Sequence, residues 1–124
     1  MNYFSDITNE ILNESIVIDG HFDLLMDLSR QRKLGFCKVM ESDHLENFKK
    51  GGLTCVVSSI FIENCLIPEL SLRESLDQIS SFYQEISESK DNFIFCKTYD
   101  DVYKAKKEDK IGVFLSFEGV EPLY

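Results

Sequence analysis

Short apolar runs alternate with amphipathic segments along this chain, and the alternation constrains the fold more than any other feature. Four runs have the length of a strand, at 16–21, 54–62, 92–98 and 111–119, and periodic segments of helical character lie between them. Strands that are joined through helices form parallel sheets with right-handed crossovers. The sequence therefore predicts an α/β fold built on a parallel sheet.

The longest helical segment, 71–89, is predicted to begin with a capping box, because Ser71 and Glu74 have the S-x-x-E spacing. Its apolar residues recur every three or four positions, which predicts a single buried stripe. The stripe comprises Leu72, Leu76, Ile79, Tyr83 and Ile86.

Two shorter helices are predicted on either side of this segment. The first, 43–50, stops at the glycine pair that follows it, and His44 in its first turn is expected to face solvent. Thr98 is the predicted N-cap of the second, 99–110, which carries acids in its first turn and lysines in its last.

The first apolar run, IVIDGHFDLL at 16–25, contains polar residues where a buried strand is expected. Residues two apart on a strand point to the same side, about 6.6 Å from each other, so His21 and Asp23 project together from its C-terminal end. The alternate residues Ile16, Ile18 and Phe22 should then face covering helices. A divalent cation such as zinc accepts both an imidazole nitrogen and a carboxylate oxygen. A hydrogen-bonded surface pair is the alternative.

The last apolar run places an acid at the corresponding position of another strand. Glu118 shares a face with Ser116 and directly precedes Gly119, so it lies at the strand's C-terminal end. Parallel α/β folds bind their ligands at that end. The metal site predicted here consists of His21, Asp23 and Glu118, whose carboxylate could bridge two metals about 3.5 Å apart. The opposite face is predicted to pack on helices and comprises Ile111, Val113, Leu115 and Phe117.

Composition excludes some classes of function. Acids outnumber lysine and arginine by 22 to 13, giving a net charge of −9, which disfavours nucleic-acid binding. The first ten residues lack the features of a signal peptide, and no apolar run reaches the length of a membrane span. These features predict a soluble, cytoplasmic protein without a membrane partner.

Two further groups of side chains have structural interpretations. The basic residues Arg30, Arg32 and Lys33 are predicted to form a solvated helix end. The four cysteines form no C-x-x-C pair and are predicted to be buried reduced thiols, with a structural zinc site or a nucleophilic cysteine as the alternatives.

Three stretches resemble the membrane dipeptidase (renal dipeptidase) family, zinc metallopeptidases of the amidohydrolase superfamily. VIDGHFDL resembles the opening motif of the family. LENFKKGGLTCVVSSIF resembles the segment that leads into its second barrel strand, and KIGVFLSFEGVEPL resembles a strand that ends in Glu-Gly. The three matches occur in the family's order and span nearly the whole chain.

The resemblance implies a (β/α)₈ TIM-type barrel, which takes about 250 residues. Residues 1–124 would form the N-terminal half of this single metallohydrolase domain. In the family's pattern His21 and Asp23 bind one of two zinc ions, and Glu118 bridges both and takes part in catalysis. A metal-activated hydroxide would attack the peptide carbonyl of a dipeptide. Asp19 would either orient a ligand or the strand, or be a buried acid that the backbone satisfies.

The chain also departs from the family's pattern, which takes two further histidines and an aspartate from later strands. Only His21 and His44 are present here. The chain is therefore predicted to be an N-terminal fragment of a dipeptidase, inactive alone. Another amidohydrolase-type deacetylase or amidase and a non-catalytic half-barrel assembly module are the alternatives. The role of 92–98 and a homodimer of the full-length protein stay open.

Overall fold

A four-stranded parallel sheet forms the centre of the fold. The computed structural model describes residues 3–123, with side chains from residue 5 onward. The strands are β1 (Ile18–Phe22), β2 (Cys55–Ile60), β3 (Phe93–Phe95) and β4 (Ile111–Phe117), in the spatial order β1-β2-β4-β3. Every pairing is parallel, which confirms the α/β prediction.

The strand order answers the question about segment 92–98. β2 pairs directly with β4, from Cys55 opposite Gly112 to Ile60 opposite Phe117. β3 pairs only with the first three residues of β4 and lies at the edge of the sheet. Within the described residues β3 is therefore an edge strand, and it is not inserted between β2 and β4.

Within residues 3–123, five α-helices connect and cover the strands. They are α1 (Tyr3–Glu14), α2 (Leu24–Lys33), α3 (Leu45–Lys50), α4 (Ser71–Glu88) and α5 (Tyr99–Lys107). A π-helical turn at Met40–His44 precedes α3, and short 3₁₀ turns occupy Asn64–Leu66 and Glu121–Leu123. Helix α1 was not predicted. No helix in the described part of the chain is long and apolar enough to cross a membrane.

The predicted N-cap of α5 is confirmed at Thr98. The Asp101 carboxylate accepts hydrogen bonds from the backbone N–H groups of Lys97 and Thr98, both at 2.8 Å. These two bonds hold the pKa of Asp101 below its ordinary value, because they stabilise the ionised form. The backbone N–H of the N-cap is thus satisfied by an acid in the first turn of α5.

The strand faces largely follow the predicted alternation. Ile111 and Val113 are buried in the main core, and Leu115 packs against it, whereas Phe117 is exposed. Phe22 packs on the same core, but Ile16 and Ile18 are exposed, so the prediction that they face helices was wrong.

A second, small core lies on the opposite face of β4 at Gly112. A Cβ there would come within 2.5 Å of the Cys55 sulfur and 2.6 Å of the Cys96 sulfur, so only glycine fits between them. The prediction of buried free thiols is confirmed for these two cysteines. It was wrong for Cys37 and Cys65, which are exposed.

Helix α4 buries a face that overlaps the predicted stripe only at Ile79 and Ile86, which pack against the main core. Its buried residues are Ser71, Ser75, Gln78, Phe82 and Glu85. Leu72, Leu76 and Tyr83 of the predicted stripe are each more than half exposed. The capping box is also absent, since the N-cap is Leu70 and Glu74 instead forms an ion pair with Lys33 at 2.8 Å.

Charged groups explain the orientation of α4. The Glu85 carboxylate is fully buried, accepts a hydrogen bond from Arg32 of α2, and accepts another from the backbone N–H of Met40 at 2.9 Å. Glu88 binds the same guanidinium at 2.8 and 2.9 Å, and these contacts raise the pKa of Arg32. The Arg32 side chain is only 14% exposed, so the prediction of a solvated helix end was wrong for it.

Paired substitutions on α4 test which of its faces is buried. Phe82→Ala should lower the free energy of unfolding by about 3–5 kcal/mol, because it opens a cavity in the main core. Leu76→Ala, at an exposed position of the same helix, should change it by less than about 0.5 kcal/mol. Urea unfolding followed by circular dichroism measures both. A larger loss for Leu76→Ala than for Phe82→Ala would contradict the observed orientation.

Candidate metal centre

Three side chains converge where β1 and β4 end. His21 lies near the end of β1. Asp23 is the first residue after that strand and the N-cap of α2, and Glu118 is the first residue after β4. The imidazole Nε2 of His21 lies 3.5 Å from Asp23 Oδ1 and 3.3 Å from Glu118 Oε2. One ligand atom from each residue lies within 4.8 Å of the others. The structure thus brings together all three residues predicted as ligands.

Strand β2, between β1 and β4, sets this arrangement. The backbone N–H of Glu118 donates a 3.1 Å hydrogen bond to the carbonyl of Ile60, which extends the β2–β4 ladder by one residue. On the other side, Ser58 pairs with Phe22 after an irregularity in the register of β1. Both strand ends are therefore held against the same neighbour.

The contacts of Asp19 fit a residue that orients the strand carrying His21, and the acid is only partly buried. Its Oδ1 accepts a 3.0 Å hydrogen bond from the backbone N–H of His21. The acid is therefore satisfied by the backbone, within the strand that carries His21. This hydrogen bond joins two residues that are two positions apart in β1. It stabilises the end of the strand, where the register with β2 is irregular.

The donor set fits a divalent cation. Ligand atoms about 2.0–2.1 Å from a tetrahedral zinc ion lie roughly 3.3 Å from each other. The two distances from His21 Nε2, 3.5 and 3.3 Å, are close to this value. The three side chains are about half exposed, so one side of the group is open to further ligands or a substrate.

Ser59 contacts the imidazole on the same side of the sheet, and Ser116 contacts Ser59; neither serine was predicted to belong to the site. Ser59 Oγ lies 3.2 Å from His21 Nδ1 and 3.2 Å from Ser116 Oγ. Ser116 Oγ in turn donates a long, 3.5 Å hydrogen bond to the Ser58 carbonyl. Strand parity could have found Ser116, since it lies two residues before Glu118.

The other histidine lies outside the group and is not solvent-facing, so that prediction was wrong. The side chain of His44 is 17% exposed, and its Nε2 lies 2.7 Å from Asp27 Oδ2. Its ring stacks on Phe48 at 5.8 Å between centroids and meets the edge of Phe22 at the same distance. His44 therefore supports the core side of β1, whose opposite side carries His21.

A known protein family matches this chain over nearly its whole length. The family model described as membrane dipeptidase (peptidase family M19) matches residues 6–124. The chain belongs to this family. No curated protein matches the chain in sequence.

Two solved structures show the fold that membrane dipeptidases and this chain share. One is a dipeptidase, a metallopeptidase of family M19, with a TM-score of 0.72 and 19% identity over 86% of this chain and 36% of its own. The other is an amidohydrolase from Pseudomonas aeruginosa, with a TM-score of 0.64 and 21% identity over 93% of this chain and 29% of its own. The chain thus spans about a third of the length of these structures. Its sheet matches part of the TIM-barrel-like fold of family M19, which confirms the predicted fold class.

A substitution at His44 tests its structural role. His44→Ala should lower the free energy of unfolding by about 2 kcal/mol, because it leaves Asp27 without its partner and removes the contacts with Phe22 and Phe48. The matched control is Glu46→Ala, at an exposed position of the adjacent helix, which should change it by less than about 0.5 kcal/mol. Chemical unfolding of both variants gives the comparison. Equal effects would mean that His44 is the solvated residue expected from the sequence.

Proposed function

We propose that the chain is the N-terminal part of a zinc-dependent dipeptidase. In this proposal His21 and Asp23 bind one zinc ion, and Glu118 bridges it to a second. The observation that carries the proposal is the convergence of the three ligand atoms within 4.8 Å at the carboxyl ends of two parallel strands. Membership of the membrane dipeptidase family supports the substrate class, a small peptide.

The side chains have distinct roles in the proposed reaction. Bound zinc supplies Lewis-acid polarisation of the peptide carbonyl and a nucleophile that is available at neutral pH. His21 and Asp23 would hold one ion at the end of β1. Glu118 Oε2 lies 3.3 Å from His21 Nε2, and the carboxylate of Glu118 would help to hold both ions. The exposed side of the group is where the scissile carbonyl would lie.

We infer that the remaining ligands come from a longer protein, since the second histidine of this chain, His44, is paired with Asp27 on the core side of β1. The 124-residue chain alone should therefore bind zinc weakly and should not hydrolyse dipeptides. The cytoplasmic location and the homodimer considered from the sequence stay predictions.

A second candidate is another amidohydrolase-type activity, such as a deacetylase or amidase. The likeness to the solved amidohydrolase favours it, because the same fold is present there. A substrate panel on the full-length protein separates the two candidates: hydrolysis of dipeptides but not of acetylated amines supports the dipeptidase. Folded, soluble full-length protein without either activity would support the non-catalytic assembly module.

Zinc titration of the 124-residue chain tests the ligand assignment. His21→Ala and Glu118→Ala should each weaken zinc binding by more than the roughly 10–100-fold that is typical of residues that only orient ligands. Glu46→Ala, which removes an exposed acid elsewhere, should leave the affinity unchanged. Isothermal titration calorimetry measures the three affinities. Zinc binding of wild-type strength in both ligand variants would remove the basis of the proposal.

A further inference from the structure

We infer that Ser58 of β2 is a positioning residue for the candidate metal centre, because it caps the N-terminus of α2 in place of Asp23 and leaves the Asp23 carboxylate free to bind a cation. The capping role stands on the hydrogen bonds at the start of α2. Its consequence for cation binding rests on the proposed function.

Asp23 lies at the N-cap of α2, from which an aspartate side chain usually bonds to the helix itself. The usual donors are the backbone N–H groups of the second and third helical residues, here Leu25 and Met26. The Asp23 side chain makes no such bond. Its backbone, with φ −84° and ψ 45°, also differs from the extended conformation that is typical of an N-cap. The helix therefore does not use the Asp23 carboxylate.

A neighbouring strand supplies the acceptor that the helix needs. The backbone N–H of Leu25 donates a 3.2 Å hydrogen bond to Ser58 Oγ. Both residues are fully buried, so water has no access to this N–H group. Without the hydroxyl group of Ser58 the N–H would be buried and unpaired, which is strongly destabilising. Ser58 therefore makes the bond that the side chain of the N-cap residue would otherwise make.

Strand pairing explains why Ser58 can reach α2. In the β1–β2 register Ser58 is opposite Phe22, the residue between His21 and Asp23. Its side chain points to the sheet face that is covered by helices, whereas the next residue, Ser59, points to the face of His21. One residue of β2 thus holds the end of β1 through the backbone and the start of α2 through its hydroxyl group.

The Asp23 carboxylate lies beside the other candidate ligands instead. Its Oδ1 is 3.5 Å from His21 Nε2, and the Asp23 side chain is 53% exposed. Capping by Asp23 would require an extended backbone and an oxygen turned towards the Leu25 N–H, so the carboxylate would leave its place beside the imidazole. Ser58 thus keeps Asp23 available as a ligand.

NMR on the metal-free chain tests which residue caps α2. Asp23→Ala should leave the hydrogen exchange rate of the Leu25 amide unchanged, because Ser58 still accepts its N–H. Ser58→Ala should bring the Asp23 carboxylate to the helix, seen as a coupling across a hydrogen bond between its carboxyl carbon and the amide of Leu25 or Met26. The double variant has neither acceptor, and its Leu25 amide should exchange about fivefold to tenfold faster, the equivalent of a lost N-cap.

The control for a general loss of stability is Val56→Ala, at another buried position of β2. It should produce no coupling between Asp23 and α2. Absence of the coupling in Ser58→Ala, or faster exchange of the Leu25 amide in Asp23→Ala alone, would overturn the capping role.

Zinc titration of the same variants tests the consequence for the metal centre. Ser58→Ala should weaken zinc binding by about tenfold, as is typical of residues that orient a ligand. Val56→Ala should bind zinc as the wild type does, and so should Ser29→Ala, which removes a buried hydroxyl group that has no hydrogen-bond partner within the described residues.

The two experiments separate this inference from the proposed function. Wild-type zinc affinity in Ser58→Ala, with the coupling present, would overturn the link between the cap and the metal centre. A wild-type chain that does not bind zinc but shows the expected exchange and coupling would refute the proposed function and support the capping role.

Discussion

The parallel pairing of β2 with β4 is the interaction on which the candidate site depends. Six residues of each strand are in register, and the bond from the Glu118 N–H to the Ile60 carbonyl continues the ladder beyond the strand. A slip of one residue would turn Glu118 away from His21, because successive side chains on a strand point to opposite faces. The same register places Ser59 beside Ser116. The candidate ligands and the hydroxyl groups of Ser59 and Ser116 are therefore positioned by the same strand pairing.

On the helical side of the sheet, a buried ion pair has a comparable role. Arg32 and Glu85 join α2 to α4, and Glu85 also holds the backbone at Met40. A buried pair of this kind contributes little net stability, but removing one partner leaves an uncompensated buried charge. It therefore acts mainly by excluding other orientations of α4. This explains how a helix can expose leucines and bury a glutamate.

Local patterns in the sequence predicted the features that depend on neighbouring residues. The alternation of apolar runs indicated the parallel sheet, and strand parity placed His21, Asp23 and Glu118 on one edge. Thr98 was recognisable as an N-cap because its partner Asp101 is three residues away. In each case the interaction lies within one element or follows from the strand period.

Features that depend on distant partners could not be predicted in this way. The periodicity of α4 predicted only part of its buried face, Ile79 and Ile86, because the charge that orients the helix, Arg32, lies 53 residues before Glu85. His44 looked solvated because its partner Asp27 lies in another helix. The edge position of β3 is a property of strand order, which no local pattern encodes.

The central claim is that one nitrogen and two carboxylate groups from two strand ends form a cation site in a chain of the membrane dipeptidase family. Zinc K-edge X-ray absorption on the chain with one equivalent of zinc tests it most directly. The account predicts only nitrogen and oxygen neighbours at about 2.0–2.2 Å, with the imidazole signal lost in His21→Ala. Sulfur neighbours at about 2.3 Å, or an imidazole signal that survives His21→Ala, would contradict it.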